Sequence, residues 1–260
     1  MTTSTRFAPG TFLPAPGTGK RGRMLFTQAR IETLLALRNG EQVLLTLLIP
    51  LVLLTGLTLL KIIPMPTPRV DSVTPRVFAL AIMSSAFTGQ AIALGFDRRY
   101  GVLKRLAATA LPRWLLVAGR LAAAVAVVVV QIVVLGVVAA ILGWSPTVSG
   151  IGPAVLLVAL GTLAFGALGV LLGGSLRAEI VLALANIIWF VLLLVGGAGL
   201  ASSVPAGVRD AMLVIPSGAL AEGLYSALGR GSEPIWVCAL ILLAWGAIAG
   251  AIATRTTRLS

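Results

Sequence analysis

Histidine is absent from the 260-residue chain, and cysteine occurs once, at Cys238. The first absence removes the commonest general base and the commonest metal ligand. The second leaves no partner for an intrachain disulfide. Acidic residues are also few: eight Asp and Glu stand against twenty Lys and Arg, a formal net charge of +12. Charged residues make up 11% of the chain and hydrophobic ones 58%, with a mean hydropathy of +1.04. Soluble domains carry about 25% charged residues, so these shortages describe a membrane protein. A soluble chain this basic would point to nucleic acid. Here the basic residues flank apolar runs with few aromatics among them, so membrane orientation accounts for the charge and no nucleic-acid partner is expected. Cys238 lies inside an apolar run and reads as a small buried group without a metal or redox role.

Long hydrophobic runs are what the chain has instead. Crossing ~30 Å of hydrocarbon takes about 20 residues, and six runs qualify: 43–60, 77–96, 114–142, 151–176, 180–200 and 234–254. Barrel strands alternate in polarity and these runs do not, so the expected fold is all-α with six transmembrane helices. Residues 1–23, with Pro9, Pro14 and Pro16, lack the apolar region of a signal peptide and read as a disordered tail. Residues 24–42 place Met24, Ile31, Leu34 and Leu35 on one helical face. They read as an interfacial helix along the headgroups or as a plain exposed helix. The six-span remainder, 43–254, is followed by a short tail at 255–260. Arg120, near the start of the third run, is expected to reach back to the membrane interface. Between the last two runs, Ala201–Glu233 is broken by Pro205 and Pro216 and carries Leu220, Leu224 and Leu228 at intervals of four. It is too interrupted to span and reads as re-entrant or interfacial helices, with Glu222 a solvated acid.

An even number of spans puts both ends on one side. Fifteen of the twenty Lys and Arg fall on that side and five on the other. By the positive-inside rule both termini and the second loop are cytoplasmic, in the inner (plasma) membrane of a bacterial cell.

Two stretches carry motif-like patterns. "PAPGTGKRG" at 14–22 has Pro14 where a phosphate-binding loop needs its first glycine, and Arg21 where it needs Ser or Thr. No nucleotide site is expected there, and the chain is not expected to hydrolyse ATP. "DRRYGVLKRLAATALPRWLLVAGR", Asp97 to Arg120, gathers six cations against the single acid Asp97. Tyr100 to Leu111 reads as a short helix ended by Pro112, with Val102, Leu103, Leu106 and Ala110 on one face and Arg98, Lys104 and Arg105 elsewhere. Such a helix either docks into a cleft on a cytoplasmic protein or anchors to anionic headgroups, at about 1 kcal/mol per basic residue.

The run Asp97-Arg-Arg-Tyr-Gly101-Val-Leu-Lys-Arg-Leu106, then Thr109-Ala-Leu-Pro-Arg113 and Gly119-Arg120, resembles the signature of ABC-2 type permeases. These are the membrane subunits of ATP-binding-cassette exporters, including daunorubicin-resistance-like drug efflux permeases. Asp97 stands where Glu is usual, and Ala110-Leu-Pro112 where Pro-Leu is usual. The resemblance implies that the loop after the second span is a coupling helix touching a cytoplasmic ABC ATPase subunit. Its contact residues would be Asp97, Arg98, Arg99, Gly101, Leu103, Lys104, Arg105 and Leu106, with a secondary contact near Arg177 and Glu179. It further implies an outer helical hairpin before the last span, a second permease as homodimer or heterodimer, and outward transport of a hydrophobic or amphipathic drug or lipid. The chain itself would bind no cofactor, ATP and Mg belonging to the partner.

Polar groups within the spans are scarce. Ser84, Thr88, Gln90, Gln131 and Asn186 serve either interhelical hydrogen bonds or a translocation path. Gly169-x-x-x-Gly173 and Gly246-x-x-x-Gly250 allow close helix approach. No acid sits deep in a span, so the energy source is expected outside this polypeptide. Two other readings stay open. A membrane enzyme acting on lipid-linked substrates would want clustered acids, whereas Asp97 and Glu179 lie in separate loops. A non-catalytic scaffold would show no nucleotide-linked transport.

Overall fold

In the computed structural model, residues 20–38, 40–60, 65, 67–107, 113–197, 205–228 and 231–256 are described. Most of the segment expected to be a disordered tail falls outside them. No strand occurs among the described residues. Helix α1, Arg21–Arg38, begins three residues ahead of Met24 and buries none of its residues. α2, Gly40–Leu59, contains Pro50. α3, Arg69–Ile82, runs on through a π-helical segment, Met83–Gly89, into α4, Gln90–Arg99. The three form one rod from Arg69 to Arg99. After α5, Val102–Ala107, come α6, Arg113–Ile141, α7, Val148–Ser175, and α8, Ala178–Gly197. Two shorter helices, α9, Ala206–Leu213, and α10, Pro216–Ala227, precede α11, Ile235–Thr256.

Among the described residues, five helices are long and apolar enough to cross a membrane: Arg69–Arg99, Val117–Ile141, Val148–Ser175, Ala178–Gly197 and Ile235–Arg255. The first expected span corresponds to a shorter apolar stretch, Thr46–Leu59, within α2. The second begins eight residues before Val77, so Arg76 lies inside a helix and not in a loop.

The rod of α3, the π segment and α4 occupies the centre. Val73, Ala79, Ile82 and Met83 are all within 1% of full burial, and α2, α6, α7, α8 and α10 pack around it. α6, α8 and α11 instead turn wide aliphatic faces outward, among them Val133, Val137, Ile187, Phe190, Leu194 and Ile248. An apolar surface of this extent is stable against hydrocarbon and not against water.

A π turn is wider than an α turn and shifts the backbone hydrogen-bond register. Its outer wall is met by a helix that brings no side chain there. A Cβ at Gly169 of α7 would stand 2.7 Å from the carbonyl oxygen of Phe87 and 3.0 Å from that of Ala86. Gly173, one turn on, sits equally close over Ala91 and Leu94. The Gly-x-x-x-Gly pair therefore joins two helices of the same chain. Gly246 of α11 similarly faces Ala164 of α7, whereas Gly250 faces open space.

Candidate functional site

At one end of the bundle the rod turns a corner into α5. Tyr100 closes α4, with its ring stacked on Phe96 at 6.0 Å, and Gly101 takes φ +70°. That left-handed conformation is open to glycine and costly for other L-residues, so the corner depends on this position. The described helix spans 102–107 of the expected 100–111, and Ala110 lies outside the described residues. Leu103 points inward and is buried with Leu94, Val170 and Ala253. Arg105 and Val102 face out, and Tyr100 is 66% exposed. The side chains of Lys104 and Leu106 lie outside the described set.

The cations of this corner do not all face outward. Arg98 Nη1 donates to the carbonyl oxygens of Gly174 at 2.6 Å, and of Gly173 and Leu176 at 3.2 Å. These are carbonyls at the C-terminus of α7, where the helix leaves acceptors unsatisfied and a cation is favoured. Arg99 pairs with Glu179 at the start of α8, both exposed; such a pair contributes about 0–1 kcal/mol. Arg120 is buried, because its guanidinium finds acids inside the protein. It binds Asp97 at the end of α4 and lies 4.0 Å from Glu32 of α1, which in turn accepts from Gln28 at 2.9 Å. Thus Asp97, Arg98 and Leu103 hold the corner against α1, α6 and α7, and Arg99, Tyr100, Val102 and Arg105 form its outward surface. Glu32 and Tyr100 were not singled out from the sequence. An acid and an amide one turn apart, Gln28 and Glu32, were the available signal for the first.

The polar groups inside the spans fall into two sets. Ser84 and Ser85, on the π segment, are tied to other helices: Trp189 of α8 donates to Ser84 Oγ at 3.0 Å, and Ser85 donates to Gln131 Oε1 of α6 at 2.7 Å. Gln131 Nε2 also reaches the carbonyl of Thr46 in α2 at 3.3 Å. Thr88 Oγ1 is buried and finds no hydrogen-bond partner among the described residues. Gln90 is half-buried beside Gly169. Asn186 stands apart on an exposed face of α8, bonded to Leu182 of its own helix.

Toward the other end of the rod, the structure corrects the reading of Glu222. It is not a solvated interfacial acid. α10 is lodged between α3, α7, α8 and α11, and its residues Pro216–Leu224 are buried. There Glu222 Oε1 accepts from Arg76 Nη2 at 2.6 Å and Nε at 3.2 Å, with side-chain exposures of 9% and 4%. Arg76 Nη1 donates to Ser72 O at 2.8 Å, and the guanidinium lies over the Tyr225 ring at 4.2 Å from its centroid. A charge shielded from water persists when it is paired and further hydrogen-bonded, and Arg76 has Glu222 for the first and Ser72 O for the second.

Residues 70–255 match the family model described as ABC-2 family transporter protein. The match takes in α3 to α11, including both the corner and the Arg76–Glu222 pair. No curated protein matches the chain. A multi-pass bundle of apolar helices, carrying this match over most of its length, belongs to the ABC-2 family: it is the membrane permease component of an ABC transporter, a class that works with an ABC ATPase subunit and has no ATPase site of its own.

Proposed function

We propose that this chain is the permease of an exporter that moves a hydrophobic or amphipathic cargo, a drug or a lipid, outward across a bacterial inner membrane. A separate cytoplasmic ATPase holds ATP and Mg and docks on the α4–α5 corner, with Arg99, Gly101, Lys104, Arg105 and Leu106 as contacts and Asp97, Arg98 and Leu103 bracing them from behind. Both termini are cytoplasmic, α1 lies along the headgroups on Phe26, Ile31, Leu34 and Leu35, and a second permease, identical or related, completes the path. Thr88 and Gln90 line that path, while Ser84 and Gln131 hold its helices together.

One observation carries this reading. The corner exposes Arg99, Tyr100, Val102 and Arg105, yet Arg98 and Arg120 tie it to α7, α6 and α1. A surface braced in this way transmits a push to several spans at once, which a loop anchored only to lipid headgroups has no need to do.

The test has two arms. The wild-type chain co-purifies with its cognate ATPase and supports ATP-dependent export in vesicles, whereas a variant with Arg99, Lys104, Arg105 and Leu106 all changed to alanine loses the ATPase. Retention of the partner by that variant would reject the corner as the contact. A cysteine at Lys104 is expected to resist an impermeant thiol reagent applied outside intact cells, and its labelling there would reject the orientation.

A further inference from the structure

Arg76 also borders a cleft. Among the described residues it is the one polar side chain in the wall of this cleft, which has a volume of about 50 Å³ and lies between α2, α3 and α8, beside Gly196, Gly197 and apolar residues such as Leu53, Leu57, Val73, Val77 and Leu193. The cleft therefore presents a single guanidinium at the edge of a greasy slot. A guanidinium is a planar fork that matches carboxylate and phosphate oxygens, and it stays charged at any physiological pH. At present both Nε and Nη2 converge on one carboxylate oxygen of Glu222. That acid is carried by α10, a helix of twelve residues too short to be a span.

We propose that Arg76 is the head-group site of the cargo path, with Glu222 as its resident counter-ion, and that the ligand it takes is an amphipathic anion with a phosphate or carboxylate head and an aliphatic tail. The assignment rests on the permease reading above. Two features of the site point to this class. A cation with low exposure cannot be left unpaired, so withdrawal of α10 demands an anion in its place. The walls beside it offer contact to methylene groups and, among the described lining residues, no further polar side chain. A neutral amphiphile would leave Arg76 unanswered, and a cationic one would oppose it. With Glu222 in place the cleft holds water at most, so entry of a head group is coupled to movement of α10. The pair thus acts as a counter-ion exchange: Glu222 yields Arg76 to the cargo head and recovers it after release.

Binding is measured on the full-length purified chain in phosphatidylcholine nanodiscs, without ATPase. The probes are dodecyl phosphate, uncharged dodecyl maltoside and inorganic phosphate. Wild type is expected to bind dodecyl phosphate roughly 10-fold more tightly than the maltoside, and to give no detectable binding of inorganic phosphate. Glu222→Gln weakens the resident counter-ion and is expected to tighten dodecyl phosphate binding about another 10-fold. The double variant Arg76→Gln/Glu222→Gln keeps the net charge of wild type and removes both partners together, a change that buried pairs tolerate far better than loss of one; it is expected to show no preference for the anion. An equal anionic preference in wild type and the double variant, or its absence from both, overturns the assignment, and this comparison stands even where Glu222→Gln alone fails to fold. Binding of inorganic phosphate as tight as that of dodecyl phosphate overturns the amphiphile. Because no nucleotide is involved, failure here leaves the transport reading intact, and failure of vesicle export leaves this result intact.

Discussion

Arg120 of α6 and Asp97 of α4, 23 residues apart in sequence, close an ion pair in which the arginine side chain is only 8% exposed. The pair clamps the start of α6 to the end of the central rod, with Glu32 of α1 as a second acid behind it. Removing Asp97 leaves the buried Arg120 with Glu32 alone, at 4.0 Å, and Asp97→Ala is expected to cost about 1–3 kcal/mol, the scale of a lost partner of a largely buried polar group. The exchanged variant, Asp97→Arg/Arg120→Asp, is expected to recover part of that loss. Thermal unfolding in detergent reads both, and equal stability of Asp97→Ala and wild type would show that the clamp contributes nothing.

Arg98 is expected to behave differently from its neighbour Arg99, although both are arginines at one helix end. Arg98→Ala releases three carbonyls of α7 and is expected to lower stability by about 2 kcal/mol, the scale of charge-assisted hydrogen bonds. Arg99→Ala removes only an exposed pair and is expected to change stability by less than about 0.5 kcal/mol. Its effect should appear instead in retention of the ATPase. Similar unfolding midpoints for the two variants would contradict this division.

Gly101→Ala places a Cβ at φ +70°, costing roughly 1–2 kcal/mol in that conformation. Space is not the obstacle, since no atom lies within 4 Å of the added carbon. Gly101→Asn, which visits the left-handed region more easily, is expected to restore most of the coupling between ATP hydrolysis and transport that alanine loses.

Gly169→Ala and Gly250→Ala make a matched pair, each within a Gly-x-x-x-Gly motif. At Gly169 the new methyl meets the fixed backbone carbonyls of Phe87 and Ala86, and at Gly250 it meets nothing within 4 Å. The first is expected to destabilise by about 1–3 kcal/mol through overpacking. The second is expected to be neutral or slightly stabilising in its helix. The reverse order would show that α7 does not rest on the π segment as described.

Much of this architecture was legible beforehand, and what escaped shares one cause. Long apolar runs announce helices because lipid leaves the backbone no other partner, and Pro205 and Pro216 announce the break that produces α9 and α10. The second span began at Arg69 and not Val77 because hydropathy stops at a charge such as Arg76. A charge can enter a bundle when another helix supplies its partner. Glu222 was misplaced for the same reason: it was read against lipid and water, while its true partner is an arginine 146 residues upstream, and the acids that pair with Arg120, on α4 and α1, were equally beyond local pattern. The cationic stretch at 97–120 was conspicuous by local composition, yet its division into bracing and outward side chains depends on α7 and α1, which no local pattern reveals. Close approach at Gly169 could be read from spacing; that its neighbour is a π turn of the same chain could not.

The distance in sequence between Arg76 and Glu222 also has a temporal meaning. Synthesis at about 5–20 residues per second separates their arrival by roughly 7–30 s. Throughout that wait Arg76 of the newborn second span lacks the acid that pairs with it in the finished bundle. A ribosome stalled before Pro216 therefore leaves a bundle whose central arginine has no acid, and the last sixth of the polypeptide decides when the first half settles to its final depth.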